Sequence, residues 1–445
     1  MALEGNPAQE SSRKTFLDMN GYQWTVLFAA WLGWGFDVFD GLLFNYVAPS
    51  CVPSLLGLKI GSPDAKQATL FWTGVLTSLL LIGWGAGGIL FGRICDRIGR
   101  SKTLLLTMSL YALGTALCAI TPNIWLMIVF RFIASLGIGG EWAAGASMVA
   151  EVVPEKRRVE AGALLYTSAS AGLFLATFLT YQIQGVFFKA NPEVAWRYVF
   201  ACGLIPAAFA FVVRSFVREP QRWQQIETKK PSVLELFSPE LRKITFSGFS
   251  MALVALIGWW SCNAFIAVVA TSLAQTSATA QHLAKADTQA LVESWKALAV
   301  NAFTWGGLIG TLLTIPAAKY IGRKAMYFMY YLLSGVALFA AFGIDMDPHT
   351  RLYMYFPIGL TVFGVFGSFT YYLPELFPTR LRATGAGTCY NSGRFIAAIG
   401  PFIVGMIAKK PGESLHAMFW IGVVPLIGLL LLPWVIETKG RALAD

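Results

Sequence analysis

The segment Glu151-Val-Val-Pro154-Glu-Lys156-Arg-Arg158 returns about 224 residues later as Glu375-Leu-Phe-Pro378-Thr-Arg380-Leu-Arg382. A second matching pair, Gly99-Arg100 and Gly322-Arg323, lies at nearly the same offset. Glutamate, proline and basic residues therefore recur at equivalent ends of two similar units. The repeat predicts two six-helix halves, with any ligand site between them.

The composition is typical of an integral membrane protein. Of the 445 residues, 56% are hydrophobic and 13% are charged, and the mean hydropathy is +0.59. Apolar runs longer than about 18 residues recur from Trp24 to Trp434, which is long enough for helices that cross a bilayer. The net charge of +10 does not indicate nucleic acid, because the Lys and Arg residues lie in short clusters between the apolar runs.

Twelve apolar runs predict an all-α membrane protein with twelve transmembrane helices in two pseudo-symmetric halves. The runs cover residues 22–49, 67–91, 102–120, 124–147, 159–181, 196–216, 244–274, 293–316, 325–343, 351–374, 383–407 and 414–434. We expect six-helix bundles at 22–216 and 244–434, joined by a basic loop at 217–243. Residues 1–21 and 435–445 are the predicted terminal tails. The first run has no small-residue cleavage site and is too long for a signal peptide, so we expect it to stay in the mature protein.

Basic residues predict the orientation of the chain. With the N-terminus in the cytoplasm, the inside segments hold 23 Lys and Arg residues and the outside loops hold six. The positive-inside rule therefore places both termini in the cytoplasm. Short outside loops without Asn-x-Ser/Thr sites favour a bacterial inner membrane.

No pattern of catalytic residues accompanies the apolar runs. The sequence has no nucleophile triad, metal cluster or phosphate-binding loop, so we predict neither an enzyme nor a cofactor or metal. Six cysteines are scattered without a Cys-x-x-Cys pair or a nearby histidine at metal-binding spacing, so the sequence implies neither a disulfide framework nor a zinc site. They are Cys51, Cys95, Cys118, Cys202, Cys262 and Cys389.

Motifs in order along the chain are similar to those of one transporter family. Residues 92–102 read Gly-Arg-Ile-Cys-Asp96-Arg97-Ile-Gly99-Arg100-Ser-Lys102. The others are Arg131-Phe132 with Gly137-Ile-Gly139, Glu151-x-x-Pro154, Glu219-Pro-Gln-Arg222-Trp223, Glu375-x-x-Pro378-Thr-Arg380 and Glu437-Thr-Lys-Gly440. The set resembles the sugar-porter-related branch of the major facilitator superfamily. This resemblance implies a twelve-helix transporter that works by alternating access.

The first and seventh predicted helices narrow the expected substrate. Gly33-Trp-Gly-Phe-Asp37-Val-Phe-Asp40 resembles the sialate and monocarboxylate proton symporters, and more weakly the aromatic-acid proton symporters. Helix 7 reads Gly258-Trp-Trp-Ser-Cys-Asn263-Ala-Phe, where sugar transporters usually carry a Gln-Gln-x-x-Gly cluster that holds hydroxyls. Residues 161–172 lack the Gly-Pro dipeptide of drug antiporters. The resemblance implies proton-coupled uptake of a small organic anion such as a monocarboxylate.

Ionisable residues inside apolar runs are the candidates for proton coupling, because a charge at mid-bilayer costs at least ~2.5 kcal/mol. Asp37 and Asp40 lie three residues apart on helix 1, and we expect them to titrate as a coupled pair. By resemblance, the helix 1 aspartate that pairs with the helix 4 arginine is Asp37 and its partner is Arg131, with Asp40 as the alternative match. A fixed salt-bridged triad that only joins helices 1 and 4 is the structural alternative. Glu141 is a candidate proton relay or lock of the inward gate.

Arg394, about a dozen residues into helix 11, is the predicted substrate anchor. Its guanidinium can hold a carboxylate by two parallel hydrogen bonds, and Tyr390 and Asn391 offer neutral ones. Pairing with a carboxylate from another helix is the alternative. Further polar and aromatic candidates for the binding site are Trp259, Asn263, Asn301, Trp305, Asn45 and Tyr46.

Acids and bases at the cytoplasmic ends of the helices are candidate gating residues. They are Asp96, Arg97, Arg100, Glu151, Arg157, Glu375 and Arg382. We expect ion pairs between helix ends in the outward-open state that break in the inward-open state. Topology and solvation are the alternative roles.

These observations predict a monomeric, multi-pass transporter whose partners are a small organic anion, protons and the lipid bilayer, without nucleic acid. The alternatives are a proton-coupled sugar or polyol transporter, a transporter of an organic cation drawn to Asp37 and Asp40, and a non-transporting nutrient sensor.

Overall fold

The structure is a computed structural model that describes residues 18–441 apart from residue 61 and segments 189–190, 216–218, 220–231 and 400–412. The predictions for residues 1–17, most of the basic loop, the end of the eleventh run and the last four residues lie outside the described residues. Throughout the described residues the chain is helical and contains no strand.

The helices of the first half are α1 (Gly21–Leu56), α2 (Pro63–Ile98), α3 (Arg100–Ile120), α4 (Ile124–Val152), α5 (Arg158–Thr180) and α6 (Pro192–Ser215). Those of the second half are α7 (Arg242–Ala280), α8 (Lys285–Pro316), α9 (Arg323–Gly343), α10 (Pro348–Leu376), α11 (Arg382–Ala397) and α12, which has two pieces, Glu413–Ile421 and Val423–Leu431. The π-helical turns Tyr181–Phe187 and Ala317–Ile321 extend α5 and α8. Each predicted span overlaps one of these helices, and nine described helices are long and apolar enough to cross a membrane. The predicted all-α membrane fold is confirmed.

Close helix crossings recur in both halves, as expected where association depends on small residues rather than on exclusion of water. A Cβ on Gly87 of α2 would lie 2.1 Å from the carbonyl oxygen of Leu136 in α4. A Cβ on Gly310 of α8 would lie 1.9 Å from the carbonyl oxygen of Leu360 in α10. The two crossings are related by the sequence repeat, so α8 and α10 repeat the packing of α2 and α4.

The turns into α3 and α9 are also repeats of each other. Gly99 has φ +107° and Gly322 has φ +93°, a region that side-chain-bearing residues rarely adopt. At α3, Glu219 accepts the first backbone N–H at 2.7 Å, and at α9 Glu437 accepts the equivalent one at 3.0 Å. A carboxylate at the positive end of a helix stabilises its N-terminus.

Glu437 accepts three backbone N–H groups, from Arg323, Lys324 and Lys439, at 3.0, 3.0 and 2.8 Å. Burial by itself raises the pKa of this carboxyl, but the donated hydrogen bonds outweigh burial. The pKa of Glu437 is therefore lower than the ordinary glutamate value.

Candidate functional site

A cluster of buried charges occupies one end of the bundle. Arg100 Nη1 lies 2.9 Å from Asp96 Oδ1, and its Nη2 lies 2.7 Å from Glu151 Oε1. The second half repeats this contact, because Arg323 Nη2 lies 2.9 Å from Glu375 Oε1. The arginines that begin α3 and α9 thus each contact the glutamate that begins the repeated segment of the same half.

The same glutamates bind arginines of the opposite half. Glu151 Oε1 lies 2.9 Å from Arg382 Nη1, and Glu375 Oε1 lies 3.7 Å from Arg158 Nη1. We call the seven residues of these contacts the ion-pair layer: Asp96, Arg100, Glu151, Arg158, Arg323, Glu375 and Arg382. The layer joins the two halves at this end of the bundle.

One pair of contacts in this region differs between the halves. Asp96 accepts the backbone N–H and the hydroxyl of Thr384, both at 2.7 Å. Lys319 stands at the position of Asp96 in the second half, and its Nζ lies 2.6 Å from Glu160, the counterpart of Thr384. Equivalent positions of the repeat thus form hydrogen bonds in one case, between Asp96 and Thr384, and an ion pair in the other, between Lys319 and Glu160.

Two further gating candidates lie outside the ion-pair layer. Arg157 is half-buried and lies 2.7 Å from Asp18 and 3.2 Å from Glu160. Arg97 is exposed and takes no part in the layer. Arg157 therefore ties the segment before α1 to the start of α5.

The buried charges of α1 and α4 form a second polar site. Arg131 Nη1 lies 3.3 Å from Asp40 Oδ2, and Thr115 donates to Asp40 Oδ1 at 2.8 Å. Arg131 Nη2 also donates to the carbonyl oxygens of Asp40 and Gly41, at 3.1 and 3.0 Å. The arginine partner is thus Asp40 rather than Asp37, because the packing of α4 against α1 brings Arg131 to Asp40. Asp37 is fully buried one turn earlier.

Glu141 is buried within the first half, where it accepts a hydrogen bond of 3.3 Å from the hydroxyl of Thr107. This contact joins α3 to α4. Glu141 does not belong to the ion-pair layer.

A central cavity lies between the halves. It is lined by Trp34, Val38, Leu42, Trp84, Tyr166, Ala169, Leu173, Leu256, Trp259, Trp260, Phe363, Phe366, Tyr390 and Arg394. Among these described lining residues Arg394 is the charged one. The walls are therefore aromatic and aliphatic around one cationic group.

Arg394 is buried against aromatic rings. Its Cζ lies 4.5 Å from the ring centre of Trp84 and 4.6 Å from that of Tyr390. Nη1 donates to Asn391 Oδ1 at 2.5 Å, whereas the buried Nε has no hydrogen-bond partner in the part of the chain that the structure describes. In that same part, no carboxylate lies within 4.0 Å of the guanidinium. The alternative of an ion pair to another helix is not found there.

Two tyrosines meet where the halves face each other. Tyr166 and Tyr390 are 224 residues apart, and their hydroxyl oxygens lie 3.4 Å from each other. Trp142 stacks on Tyr390 at 4.0 Å, and its repeat counterpart Phe366 stacks on Tyr166 at 5.9 Å. The pair lies beside Arg394 and borders the cavity.

The predicted binding residues divide into two groups. Arg394, Tyr390 and Trp259 line the cavity, and Asn391 holds the guanidinium. The remaining five, Asn45, Tyr46, Asn263, Asn301 and Trp305, are not among the lining residues. Helical rotation explains this result, since the sequence gives the depth of a residue in a helix but not which neighbour it faces.

The five residues outside the cavity have other surroundings. Asn45 accepts a hydrogen bond of 3.1 Å from Thr77, and the hydroxyl of Tyr46 accepts one of 3.4 Å from Thr177. Asn263 is half-buried and Asn301 is exposed. Trp305 is 53% exposed and packs on Phe174.

Sequence reasoning missed several of the cavity residues. Trp34, Trp84 and Trp260 lie in apolar helices, where one tryptophan cannot be told from another without knowing the packing. Tyr166 was detectable, because it is the repeat counterpart of the predicted Tyr390.

Residues 24–284 match the model of the Major Facilitator Superfamily, which is more than half of the chain. The chain belongs to this superfamily. It is accordingly a multi-pass membrane transporter of a small molecule, not an enzyme.

Curated relatives and solved structures agree with this assignment. The chain is 26% identical to the sialic acid transporter NanX of Escherichia coli over 96% of this chain and 97% of NanX. It is 28% identical to the cis,cis-muconate transport protein of Acinetobacter baylyi, over 84% of this chain and 89% of that protein. A structure of the proton:xylose symporter XylE, bound to 6-bromo-6-deoxy-D-glucose, has a TM-score of 0.73 and 18% identity, covering 95% of this chain and 98% of XylE. That likeness supports the fold.

Proposed function

We propose that this transporter couples the uptake of a small organic anion, such as a monocarboxylate, to the entry of protons. The observation that carries the proposal is the buried guanidinium of Arg394 in the central cavity, without a carboxylate partner among the described residues. A buried charge is costly unless it is paired. A carboxylate substrate supplies the missing charge and accepts two parallel hydrogen bonds from a guanidinium.

Asp40 and Arg131 are the proposed proton-coupling pair, with Asp37 beside them. Protonation of Asp40 removes the negative partner of Arg131, which keeps its hydrogen bonds to the carbonyl oxygens of Asp40 and Gly41. The same helix carries Val38 and Leu42 in the cavity wall. A change of charge at Asp40 can therefore reach the cavity through the position of α1.

The ion-pair layer is the proposed cytoplasmic gate. Its end of the bundle carries the basic clusters, which the positive-inside rule assigns to the cytoplasm. Opening this end requires the Glu151–Arg382 and Glu375–Arg158 contacts to separate. We place the protein, as a monomer, in a bacterial inner membrane with both termini in the cytoplasm.

The names of the relatives support the substrate class. NanX is named for sialic acid and the Acinetobacter protein for cis,cis-muconate, and both ligands are carboxylates. The sequence departs from sugar transporters in helix 7, which argues against a sugar.

The test uses purified protein in liposomes loaded with a pH dye. A panel of lactate, pyruvate, benzoate, sialate, dicarboxylates and neutral sugars is added outside. Weak acids cross lipid unaided, so protein-free liposomes and liposomes with the Asp40→Asn variant define the background. Protein-dependent internal acidification by a carboxylate supports the proposal. Acidification by a sugar alone, or by nothing in the panel, contradicts it.

A further inference from the structure

Two helix pairs join the halves along the central interface, α2 with α11 and α5 with α8, and the first pair packs unusually closely. A Cβ on Gly88 of α2 would lie 2.0 Å from the side-chain nitrogen of Asn391 in α11. A Cβ on Gly92 would lie 2.7 Å from the carbonyl oxygen of Ala383. The backbone of α2 therefore lies directly against α11, which is possible because glycine has no side chain.

Hydrogen bonds hold both ends of the α2–α11 pair. The hydroxyl of Ser78 donates to the carbonyl oxygen of Ala398 at 2.9 Å. At the other end, Asp96 accepts the backbone N–H and the hydroxyl of Thr384, and both residues are buried. Ser78 and Asp96 lie about 27 Å apart along α2, close to the hydrocarbon thickness of about 30 Å. The two helices are thus joined across most of the membrane.

The α5–α8 pair is joined by long side chains instead. Lys319 Nζ lies 2.6 Å from Glu160 Oε1, and the lysine side chain is 36% exposed. Further along the same helices, the ring of Phe174 lies 5.2 Å from that of the exposed Trp305. An ion pair that water and salt can reach stabilises a contact less than buried hydrogen bonds to a carboxylate do. These two helices can therefore separate more easily than α2 and α11.

The sequence repeat accounts for the difference in packing. The positions of α8 that correspond to Gly88 and Gly92 of α2 hold Thr311 and Ile315. A β-branched side chain at both positions keeps α8 from approaching a neighbouring helix as closely as α2 approaches α11.

The ion-pair layer is uneven in the same direction. The contact between Glu151 of α4 and Arg382 of α11 is 2.9 Å long. The equivalent contact between Glu375 of α10 and Arg158 of α5 is 3.7 Å long. The longer inter-half contact is thus the one on the side of α5.

The predicted substrate anchor belongs to the closely packed side. Arg394 of α11 lies against the ring of Trp84 in α2, 4.5 Å from its centre. Its Nη1 donates to Asn391, which packs on Gly88. Motion between α2 and α11 would disturb both supports of the guanidinium, whereas motion of α5 away from α8 would leave them in place.

We infer that the cytoplasmic gate opens asymmetrically, with α2 and α11 as the hinge and with α5 and α8 moving further apart as the Glu160–Lys319 ion pair separates. Glu160 and Lys319 are thus gating residues in addition to the ion-pair layer. This inference rests on the proposed gate and adds the side on which the gate opens. Arg394 stays on the hinge, while the part of the cavity wall that α5 supplies, with Tyr166 and Leu173, moves away from it.

The experiment measures spin–spin distances by double electron–electron resonance on the full chain in lipid nanodiscs, with the six native cysteines replaced by serine or alanine. Spin labels at Arg97→Cys and Arg380→Cys report on α2 and α11. Labels at Tyr320→Cys and Lys156→Cys report on α5 and α8. The two label pairs occupy equivalent positions of the repeat, and none of the four residues belongs to the ion-pair layer.

The double variant Glu151→Gln/Glu375→Gln opens the gate in this experiment, so that no substrate is needed. It removes the charge of both glutamates that bind arginines of the opposite half. We expect the mean distance of the α5–α8 label pair to increase at least about twice as much as that of the α2–α11 pair.

Lys319→Met tests the gating pair by removing the charge while keeping an unbranched side chain. In the otherwise wild-type chain it should add a population of longer distances at the α5–α8 labels and leave the α2–α11 distance unchanged. Lys319→Arg keeps the charge and should give the wild-type distances at both label pairs. Lys324→Met is the matched control, because Lys324 donates to Glu437 through its backbone N–H. Glu160→Gln breaks the same ion pair from α5 if Lys319→Met does not yield a monodisperse protein.

The outcomes separate this inference from the proposed function. An equal or larger shift at the α2–α11 labels in the double variant overturns asymmetric opening and leaves the proposed gate and anion symport standing. No shift at either label pair overturns both the gate and this inference, whereas carboxylate uptake is decided by the liposome assay. A change in Lys319→Met that is no larger than the change in Lys324→Met removes Glu160 and Lys319 from the gate. A shift confined to the α5–α8 labels in Lys319→Met, absent from Lys319→Arg and Lys324→Met, supports the inference.

Discussion

In the first half of the molecule Arg100 binds Glu151 at 2.7 Å, and in the second half Arg323 binds Glu375 at 2.9 Å. The turns before both arginines use a glycine with positive φ, and the helices that follow both turns begin at a bound glutamate. At the end of the bundle that carries the ion-pair layer, the two halves are therefore close copies of each other.

The halves differ at the positions buried deeper along the helices. The repeat counterpart of Arg131 is Tyr355, and that of Arg394 is Ser170. The first half thus holds the Asp40–Arg131 pair, whereas the second half supplies the cation of the cavity. In the mechanism that we propose, the symmetric residues form the cytoplasmic gate. In the same proposal, the asymmetric residues bind the proton and the substrate, which need different chemical groups.

The largest expected effect comes from replacing Arg394 of the second half by serine, the residue at the equivalent position 170 of the first half. Arg394→Ser should abolish measurable uptake of the carboxylate, because truncating one partner of a buried charge pair costs about 2–5 kcal/mol, or at least ~30-fold in affinity. Arg394→Lys should also weaken binding, since a lysine keeps the charge but loses the planar fork. Affinity in both variants is measured by calorimetry and uptake in liposomes.

Ser170→Ala is the control for this prediction, because Ser170 is the buried counterpart of Arg394 in the first half. It should retain uptake close to the wild-type rate. Wild-type affinity in Arg394→Ser would contradict a role of Arg394 in substrate binding and would indicate a structural role instead.

Neutralising the proposed proton-coupling site should abolish proton coupling while leaving substrate binding in place. In Asp40→Asn the group next to Arg131 cannot gain or lose a proton, so proton-driven accumulation should disappear while counterflow exchange of the carboxylate partly survives. Asp37→Asn tests whether the neighbouring carboxylate shares the proton. Uptake against a gradient in both single variants would contradict a role of either aspartate in coupling.

The sequence was sufficient for the parts of the molecule that repeat or that carry charge. Each apolar run overlaps a helix in the part of the chain that the structure describes, because the bilayer requires long stretches without charge. The repeat paired Glu151 with Glu375 and Arg158 with Arg382, and those four residues meet in the ion-pair layer. Charged residues within apolar runs are few, so each could be identified individually from the sequence.

The aromatic cavity could not be predicted in the same way. The chain has 15 tryptophans, and an apolar helix gives no signal that distinguishes a cavity-lining ring from a lipid-facing one. Trp34 lines the cavity, whereas Trp305 is exposed, although both lie in apolar runs. The choice of Asp40 over Asp37 likewise depended on the rotation of α1 against α4, which is set by packing and not by local sequence.

A smaller effect is expected from the contacts of the proposed gate that differ between the halves. Glu151 contacts the opposite half at 2.9 Å, whereas Glu375 does so at 3.7 Å. Glu151→Gln should therefore raise the equilibrium constant for opening the ion-pair layer more than Glu375→Gln does. The difference is about tenfold if the free energies of opening of the two variants differ by ~1.4 kcal/mol. Cys95 is a native reporter, because it is buried and its carbonyl oxygen accepts a hydrogen bond from Arg100.

The measurement is the rate at which a water-soluble maleimide labels Cys95 when the other five cysteines are replaced by serine or alanine. The chain that retains Cys95 and both glutamates gives the reference labelling rate. Equal rates for the two glutamine variants would mean that the inter-half distances do not set the strength of the gate.

The smallest expected effect concerns the glutamate that binds the start of α9. The pKa of Glu437 is lowered in the folded chain, because its backbone hydrogen bonds outweigh burial. Its contribution to stability is thus complete above the unfolded value of about 4.5 and is lost as the pH falls through the lower folded value. The melting temperature of Glu437→Gln should therefore fall less between pH 6 and pH 3.5 than that of the wild type, whereas Glu193→Gln, at an exposed position, should follow the wild-type curve. If the melting temperatures of Glu437→Gln and wild type changed in parallel with pH, the carboxylate of Glu437 would make no pH-dependent contribution to stability at the turn that contains Gly322.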